Sequence, residues 1–452
     1  MRAVPLLAAT LLLATPAVAQ TKYPAVLEGH AVLPAMTLVP APADAPQELQ
    51  ISGRYAGPGN LRVDTPESIP ARSALSDKAA PRPTGISFPL KGQPVQGLSG
   101  IKNLRDGTFL TLSDNGFGSK ANSPDAMLTF HIVKPDWKSG AVERVSTVFL
   151  NDPDRKVPFR IVNENTPRRY LTGADFDIES IQPIGEALWF GDEFGPFLIK
   201  ADRTGKVLQV FETKVGGKVV RSPDHPSMAM PAVPGAVKFE VRRSKGFEGM
   251  AASPDGKFLY PLLEGPLLTA TGEPEAKDGK RFLRILEFDV ARGEYTGKSF
   301  KYALEAPTNS IGDFNLIDTT SGLVIERDDT EGDPAQACLE AAPRPDCFNV
   351  PAKFKRIYKV DLAQADADGF VKKVGYIDLM DIDDPQMLAR QGGKNGKLTF
   401  PFFTIENVDL VDADRIIVGN DNNLPFSSGR TLGKVDDNEL ILLRVTDLLR
   451  AK

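Results

Sequence analysis

At 452 residues the chain has room for two or three average domains or for one long β-rich domain. Its 41% hydrophobic and 25% charged content is that of a soluble globular protein. A net charge of −5 without a basic run excludes a nucleic-acid partner and leaves a small molecule as the expected ligand.

The chain opens with a segment patterned for export. Arg2 supplies a positive start, Val4 to Ala14 an apolar run, and Ala17-Val18-Ala19 a small-residue cleavage site, so residues 1–19 read as a signal peptide. The run is too short to cross a bilayer and nothing later reaches 18 uninterrupted apolar residues. A periplasmic or secreted monomer with no transmembrane anchor is expected. Residues 20–46, rich in Pro and Ala, read as an extension ahead of a domain at 47–452.

Strands are expected at Glu48 to Tyr55 and Leu61 to Val63, followed by hairpins. Five times a short apolar strand carrying a small or acidic residue is followed by a second strand ending on an acidic or amide cluster. The pairs join Ser99 to Asp114-Asn115, Glu179 to Asp192-Glu193, Glu248 to Glu264, Asp313 to Glu326-Arg327-Asp328, and Glu406 to Asp421-Asn422-Asn423. The polar positions of each pair lie 13 to 16 residues apart, one hairpin's worth of chain. Recurring hairpins with acids at the same end predict an all-β propeller whose carboxylates converge on a shared axis.

Successive repeats are 65 to 93 residues apart, so long loops must sit between strands, near 150–172, 212–245, 266–280, 328–354 and 380–400. Five repeats are legible. A sixth blade is expected from the strands near 48–63 and the C-terminal end, closing the ring. The best helix candidate is Asp381 to Arg390.

Cys338 and Cys347 bracket one loop and, in an oxidising compartment, are expected to form a structural disulfide. Three scattered histidines are too few for a zinc site. There is no Gly-x-Ser-x-Gly elbow and no phosphate loop ending in Gly-Lys-Ser/Thr.

Chemistry therefore falls to the acidic ends. Asp114, Asn115, Glu179, Asp192, Glu193, Glu248, Glu264, Glu406, Asp421 and Asn422 form an oxygen ligand set suited to Ca²⁺, with Mg²⁺ the alternative. Glu248, Glu326, Arg327 and Asp192 are the candidate catalytic residues. Lys120, Arg327 and Arg430 are the candidates for holding substrate oxygens. The competing reading is that each acid caps a local turn and each cation neutralises a neighbouring acid.

Taken together, the runs Ser113-Asp114-Asn115-Gly116-Phe117-Gly118, Gly191-Asp192-Glu193-Phe194-Gly195-Pro196, Gly246-Phe247-Glu248-Gly249-Met250, Glu326-Arg327-Asp328 and Asn420-Asp421-Asn422-Asn423-Leu424-Pro425-Phe426 resemble the bacterial "esterase-like activity of phytase" family, over about Gly97 to Leu449. The resemblance implies a β-propeller and a phosphoesterase or esterase activity built on Asp and Glu residues, with phosphate-ester hydrolysis the expected reaction. A Ca-dependent lactonase or arylesterase, with Glu179, Asn115 and Asp421 around the ion, is the alternative. A binding propeller with a structural metal is the third.

Overall fold

A computed structural model describes residues 20–64, 67, 69–71, 82–228, 238–340 and 344–452. The expected signal peptide lies outside the described residues. Strands dominate, and they pair as four-stranded antiparallel meanders.

The first blade is Leu98–Asn103, Phe109–Ser113, Thr129–Asp136 and Ala141–Phe149; the second is Ile178–Ile184, Ala187–Asp192, Phe197–Asp202 and Val207–Glu212. The third is Phe247–Ala252, Phe258–Leu263, Lys280–Asp289 and Glu294–Ala303; the fourth is Ser310–Leu316, Ser321–Arg327, Lys355–Asp361 and Lys372–Asp378. The fifth begins Thr404–Leu410, Arg415–Asp421 and Asn438–Arg444, and its fourth strand is Val26–Leu33 from the N-terminal end. Each blade's first strand packs on those of the blades before and after, and the fifth packs on the first, so the ring closes.

The expected sixth blade is not found among the described residues. Glu48 to Tyr55 holds a 3₁₀ turn, Gln47–Gln50, and residues 52–62 make only isolated bridges. The segment expected to be an extension instead supplies the closing strand: Leu27, Ala31 and Leu33 are buried, and Val26–Leu33 runs antiparallel to Asn438–Arg444. Sharing one blade between the two chain ends satisfies the edge of the last sheet without another meander.

Five inner strands can meet at one axis only if their backbones come close. A Cβ on Gly249 would lie 2.6 Å from Phe314 N, and one on Gly312 would overlap Ile405 O. Below the acidic end, cross-blade polar contacts fill the axis. Lys102 Nζ reaches Asn315 Oδ1 and Asp409 Oδ1, each at 2.9 Å, and Asp313 accepts from Val408 N at 2.9 Å. Apolar side chains such as Trp189, Phe288 and Phe314 pack between the sheets.

Asp381 to Arg390 is not a helix. Asp384 turns the chain, its carboxylate accepting from Leu388 N (2.7 Å) and Ala389 N (3.1 Å), and Pro385 prevents helical pairing at the start. The α-helix among the described residues is Thr446–Arg450. Cys338 and Cys347 form the expected disulfide.

Candidate functional site

The inner strand of every blade carries a β-bulge near its start. Register slips between Ser99 and Ile101, Ile178 and Ser180, Phe247 and Gly249, Ile311 and Phe314, and Ile405 and Asn407. The unpaired residue is Glu179 in the second blade, Glu248 in the third and Glu406 in the fifth. A bulge re-aims a side chain away from the pleat, and here it turns three carboxylates to the axis. The second strand of each blade ends beside that bulge, delivering Asp114 and Asn115, Glu193, Glu264, Arg327 and Asp421 to the same place.

The result is a cavity of about 240 Å³ at one end of the axis. Eight carboxylates line it: Asp114, Asp177, Glu179, Glu193, Glu248, Glu264, Glu406 and Asp421. Only Arg327 and Lys245 among its lining residues carry positive charge, and Phe403, Leu424 and Phe426 form an apolar wall. Lys245 pairs with Glu264, while Arg327 Nη2 lies 3.5 Å from Glu264 Oε1 and 3.4 Å from Glu406 Oε1.

Burial first, then repulsion from neighbouring acids, pushes Asp114, Glu179, Glu193 and Glu248 well above the usual carboxylate range. Burial and then Asp421 raise Glu406 to about 8, and burial raises Asp421 to about 6. Burial would raise Glu264 too, but Lys245 and Arg327 outweigh it and hold that carboxyl low.

Three carboxylate groups each bring one oxygen from every member within 4.8 Å: Asp177, Glu179 and Glu193; Glu179, Glu248 and Glu406; Glu193, Glu248 and Glu264. At that spacing each charged pair repels by roughly 3 kcal/mol at an effective dielectric near 20. Glu248 Oε1 is buried and has no hydrogen-bond partner. An all-oxygen, anionic set with an orphaned acceptor at its centre fits a hard divalent cation.

Of the residues expected from sequence, Asp114, Asn115, Glu179, Glu193, Glu248, Glu264, Arg327, Glu406 and Asp421 come together here. The others do not line the cavity. Asp192 accepts from the backbone N–H groups of Asp177 (2.9 Å), Phe194 (3.3 Å) and Gly195 (2.7 Å), fixing a turn. Glu326 is taken up by Tyr302, Asn309, Lys373 and the Glu305 N–H. Asn422 bridges Gly97 N and Asp436 O, each at 3.0 Å. Arg430 is locked on Glu439 at 2.6 Å, and Lys120 reaches Asp224 O at 3.3 Å.

Asp177 and Lys245 were missed. Asp177 accepts from Asn115 N (3.2 Å) and Nδ2 (2.8 Å), which orients the amide at the cavity. Its signal was the Asp-x-Glu spacing with the bulge residue Glu179 at the strand entry.

The family model described as "Phytase-like: Esterase-like activity of phytase" matches residues 93–424. The chain belongs to this family. The match begins just ahead of the first blade and ends on the apolar wall of the cavity, so it contains every residue of the carboxylate bed. A protein of Arthroderma benhamiae (strain ATCC MYA-4681 / CBS 112371) described as an uncharacterized secreted protein is 28% identical over 33% of this chain and 33% of its own length, so the chain spans about a third of that relative.

Among solved structures, a periplasmic gluconolactonase of Pseudomonas aeruginosa is similar at 12% identity and a TM-score of 0.31, covering 77% of this chain and 88% of that one. A protein from Lactobacillus plantarum is similar at 12% identity and a TM-score of 0.30, over 74% and 67%. The propeller reading rests on this phytase-like chain's own strand pairing. No helix among its described residues is long and apolar enough to cross a membrane.

Proposed function

We propose that this phytase-like protein is an exported hydrolase that cleaves phosphate esters in the axial cavity with the help of bound divalent cations. The observation that carries the reading is the charge imbalance: seven buried carboxylates and the half-buried Asp114 face two cations around one cavity, with Glu248 Oε1 unpaired among them. Without added positive charge such a cavity repels an anionic ester; with it, the same oxygens become a binding platform. The family's description as esterase-like supports the class of reaction.

Glu179, Glu248 and Glu406, with Asp177, Glu193 and Glu264, would hold Ca²⁺, or Mg²⁺ in its place. A cation there supplies Lewis acidity toward a phosphoryl oxygen and makes water a stronger acid. Arg327, held positively charged by Asp329, Glu406 and Glu264 against the cost of its burial, faces the phosphoryl oxygens. Asp421 and Asp114 belong to none of the three carboxylate groups. Asp421, near 6, takes the proton of the attacking water; Asp114, pushed higher by burial and by Asp421, gives one to the departing alkoxide as the P–O bond breaks.

The apolar wall of Phe403, Leu424 and Phe426 favours a second reading, in which an uncharged carboxyl ester or lactone is the substrate. Metal analysis of residues 20–452 and hydrolysis of phosphomonoester, phosphodiester, aryl-ester and lactone substrates, with and without chelator, decide between them. Chelator-sensitive release of phosphate supports the proposal. Turnover of the lactone or aryl ester alone moves the assignment to the second reading, and bound cation with no turnover overturns hydrolysis.

A further inference from the structure

A cleft of about 810 Å³ lies between segment 238–243 and the turn at 268–272, which are tied together by Leu268 N donating to Glu240 O at 2.8 Å. Its charge is opposite to that of the axial cavity. Lys218, Lys238, Arg242 and Arg243 line it, with Glu240 as the sole carboxylate among the described residues of its lining. Glu240 is engaged by Arg221, and Arg243 pairs with Asp224. Lys218, Lys238 and Arg242 are exposed, and no ion pair holds them among the described residues. Three uncompensated cations in one cleft stand out on a chain whose net charge is −5.

The cleft is joined to the axial cavity through shared walls. Arg242 also lines a cavity of about 150 Å³, and that cavity shares Lys245 and Glu264 with the carboxylate bed. Between Arg242 and Lys245 runs Ser244, which itself lines the carboxylate cavity and holds a left-handed backbone, φ 49°. A non-glycine residue in that region costs about 1 kcal/mol or more and marks a place where the chain's path is constrained. Hydroxyls of Thr269 and Thr271, 2.9 Å apart, add neutral donors on the facing wall. Flexible ammonium groups, a guanidinium and hydroxyls are the donors that hold phosphate-like oxygens.

We propose that this cleft is a second anion-binding site, which holds a phosphate-like group of the substrate remote from the ester being cleaved. The substrate class is then a small ester carrying at least two anionic groups, one placed at the axial cations and one in the basic cleft. The part concerning the substrate rests on the hydrolase reading above; the binding site itself does not.

The test uses a triple variant, Lys218→Ala, Lys238→Ala and Arg242→Ala, at exposed positions outside the carboxylate bed. Tripolyphosphate is titrated calorimetrically into chelator-treated protein, in which the axial carboxylates repel anions. Binding by the parent that is lost in the variant and weakens with salt supports the site. No binding by the parent, or equal binding by both, overturns it.

In the loaded enzyme, KM for an aryl phosphate bearing a second phosphate should rise about tenfold or more in the variant, while the plain aryl phosphate stays within about twofold. Equal changes for both substrates would overturn the substrate assignment. Absence of all turnover would instead count against the hydrolase reading and leave the titration to decide the cleft.

Discussion

Arg327 Nη2 lies 3.4 Å from Glu406 Oε1, which joins the end of the fourth blade's second strand to the bulge of the fifth blade's first. Both side chains are almost fully buried, so the pair interacts with little screening by water. Arg327 Nη2 also lies 3.5 Å from Glu264, whose carboxyl is held low, so removing the guanidinium leaves a buried charge undercompensated, at a cost of about 3–5 kcal/mol. Arg327→Ala is therefore expected to lower stability by that order and kcat by about a hundredfold, as losing a charge aimed at the reacting group does. Arg327→Lys should recover part of both. Urea unfolding and steady-state kinetics check this, and wild-type turnover by the alanine variant would contradict the role.

Glu248 gives a prediction with opposite signs for stability and activity. Its Oε1 has no partner, and its carboxyl is pushed far upward by burial and by Glu406 and Glu264. Glu248→Gln keeps the shape and removes the charge. The metal-free variant should be more stable than the metal-free parent by about 1–3 kcal/mol, yet bind less cation and lose turnover. Thermal melts with chelator, set beside metal content, read both effects. A variant that is less stable without metal and retains its cation would refute the assignment.

The raised carboxyls also set a pH dependence. Asp421 stays protonated to about 6 and Glu406 to about 8 in the fold, whereas in the unfolded chain such groups ionise near 4. Between pH 4 and 8 the folded state thus binds more protons than the unfolded one. Stability contributed by these groups is present at the acidic end and is lost as pH rises through that window. Chelated protein should weaken from pH 4 toward 8, and millimolar Ca²⁺ should restore the loss at the upper end. Unfolding curves that are flat across this range, or unchanged by Ca²⁺, would count against a cation-filled bed.

Much of the site was legible because a hairpin repeat puts equivalent residues in equivalent places. Glu179, Glu248 and Glu406 occupy the same bulge in three blades, and the residues closing each second strand follow by connectivity. Asp192, Glu326 and Asn422 share the same local sequence context but, like Arg430 farther along the chain, turn into hydrogen-bonded networks. Composition cannot show that a carboxylate such as Glu326 faces Tyr302 and Lys373 rather than the axis. The closing strand was hidden for a different reason. Val26–Leu33 finds its partner more than 400 residues later, and its place is fixed by a sheet edge that exists only once the ring is built.

The Cys338–Cys347 bridge spans nine positions inside the loop between the fourth blade's second and third strands. In the loop-entropy view a closure of this length is worth about 3 kcal/mol, and neither cysteine lines the axial cavity. The Cys338→Ser and Cys347→Ser double variant should lose up to that amount in chemical unfolding while kcat stays within about twofold. A collapse of activity with the fold intact would show that the loop shapes the cavity.

The N-terminal strand should be indispensable for folding. Val26–Leu33 buries Leu27, Ala31 and Leu33 and pairs along Asn438–Arg444, and Val32 N also donates to Gly140 O of the first blade at 2.9 Å. Within the same strand His30 Nε2 meets Glu439 Oε2 at 3.1 Å, beside the Arg430–Glu439 pair. Buried leucines contribute about 2 kcal/mol each and backbone pairs about 1 kcal/mol each, so the strand is worth roughly 10 kcal/mol, comparable with the whole stability of an average domain. A chain starting at residue 34 should fail to unfold cooperatively and should aggregate through the exposed edge of Asn438–Arg444. His30→Ala, which keeps the strand and removes the contact with Glu439 and the bond accepted from Arg390 N, should fold and lose about 2–4 kcal/mol. Soluble, cooperative, catalytically competent protein from the shortened chain would mean that the ring closes without this strand.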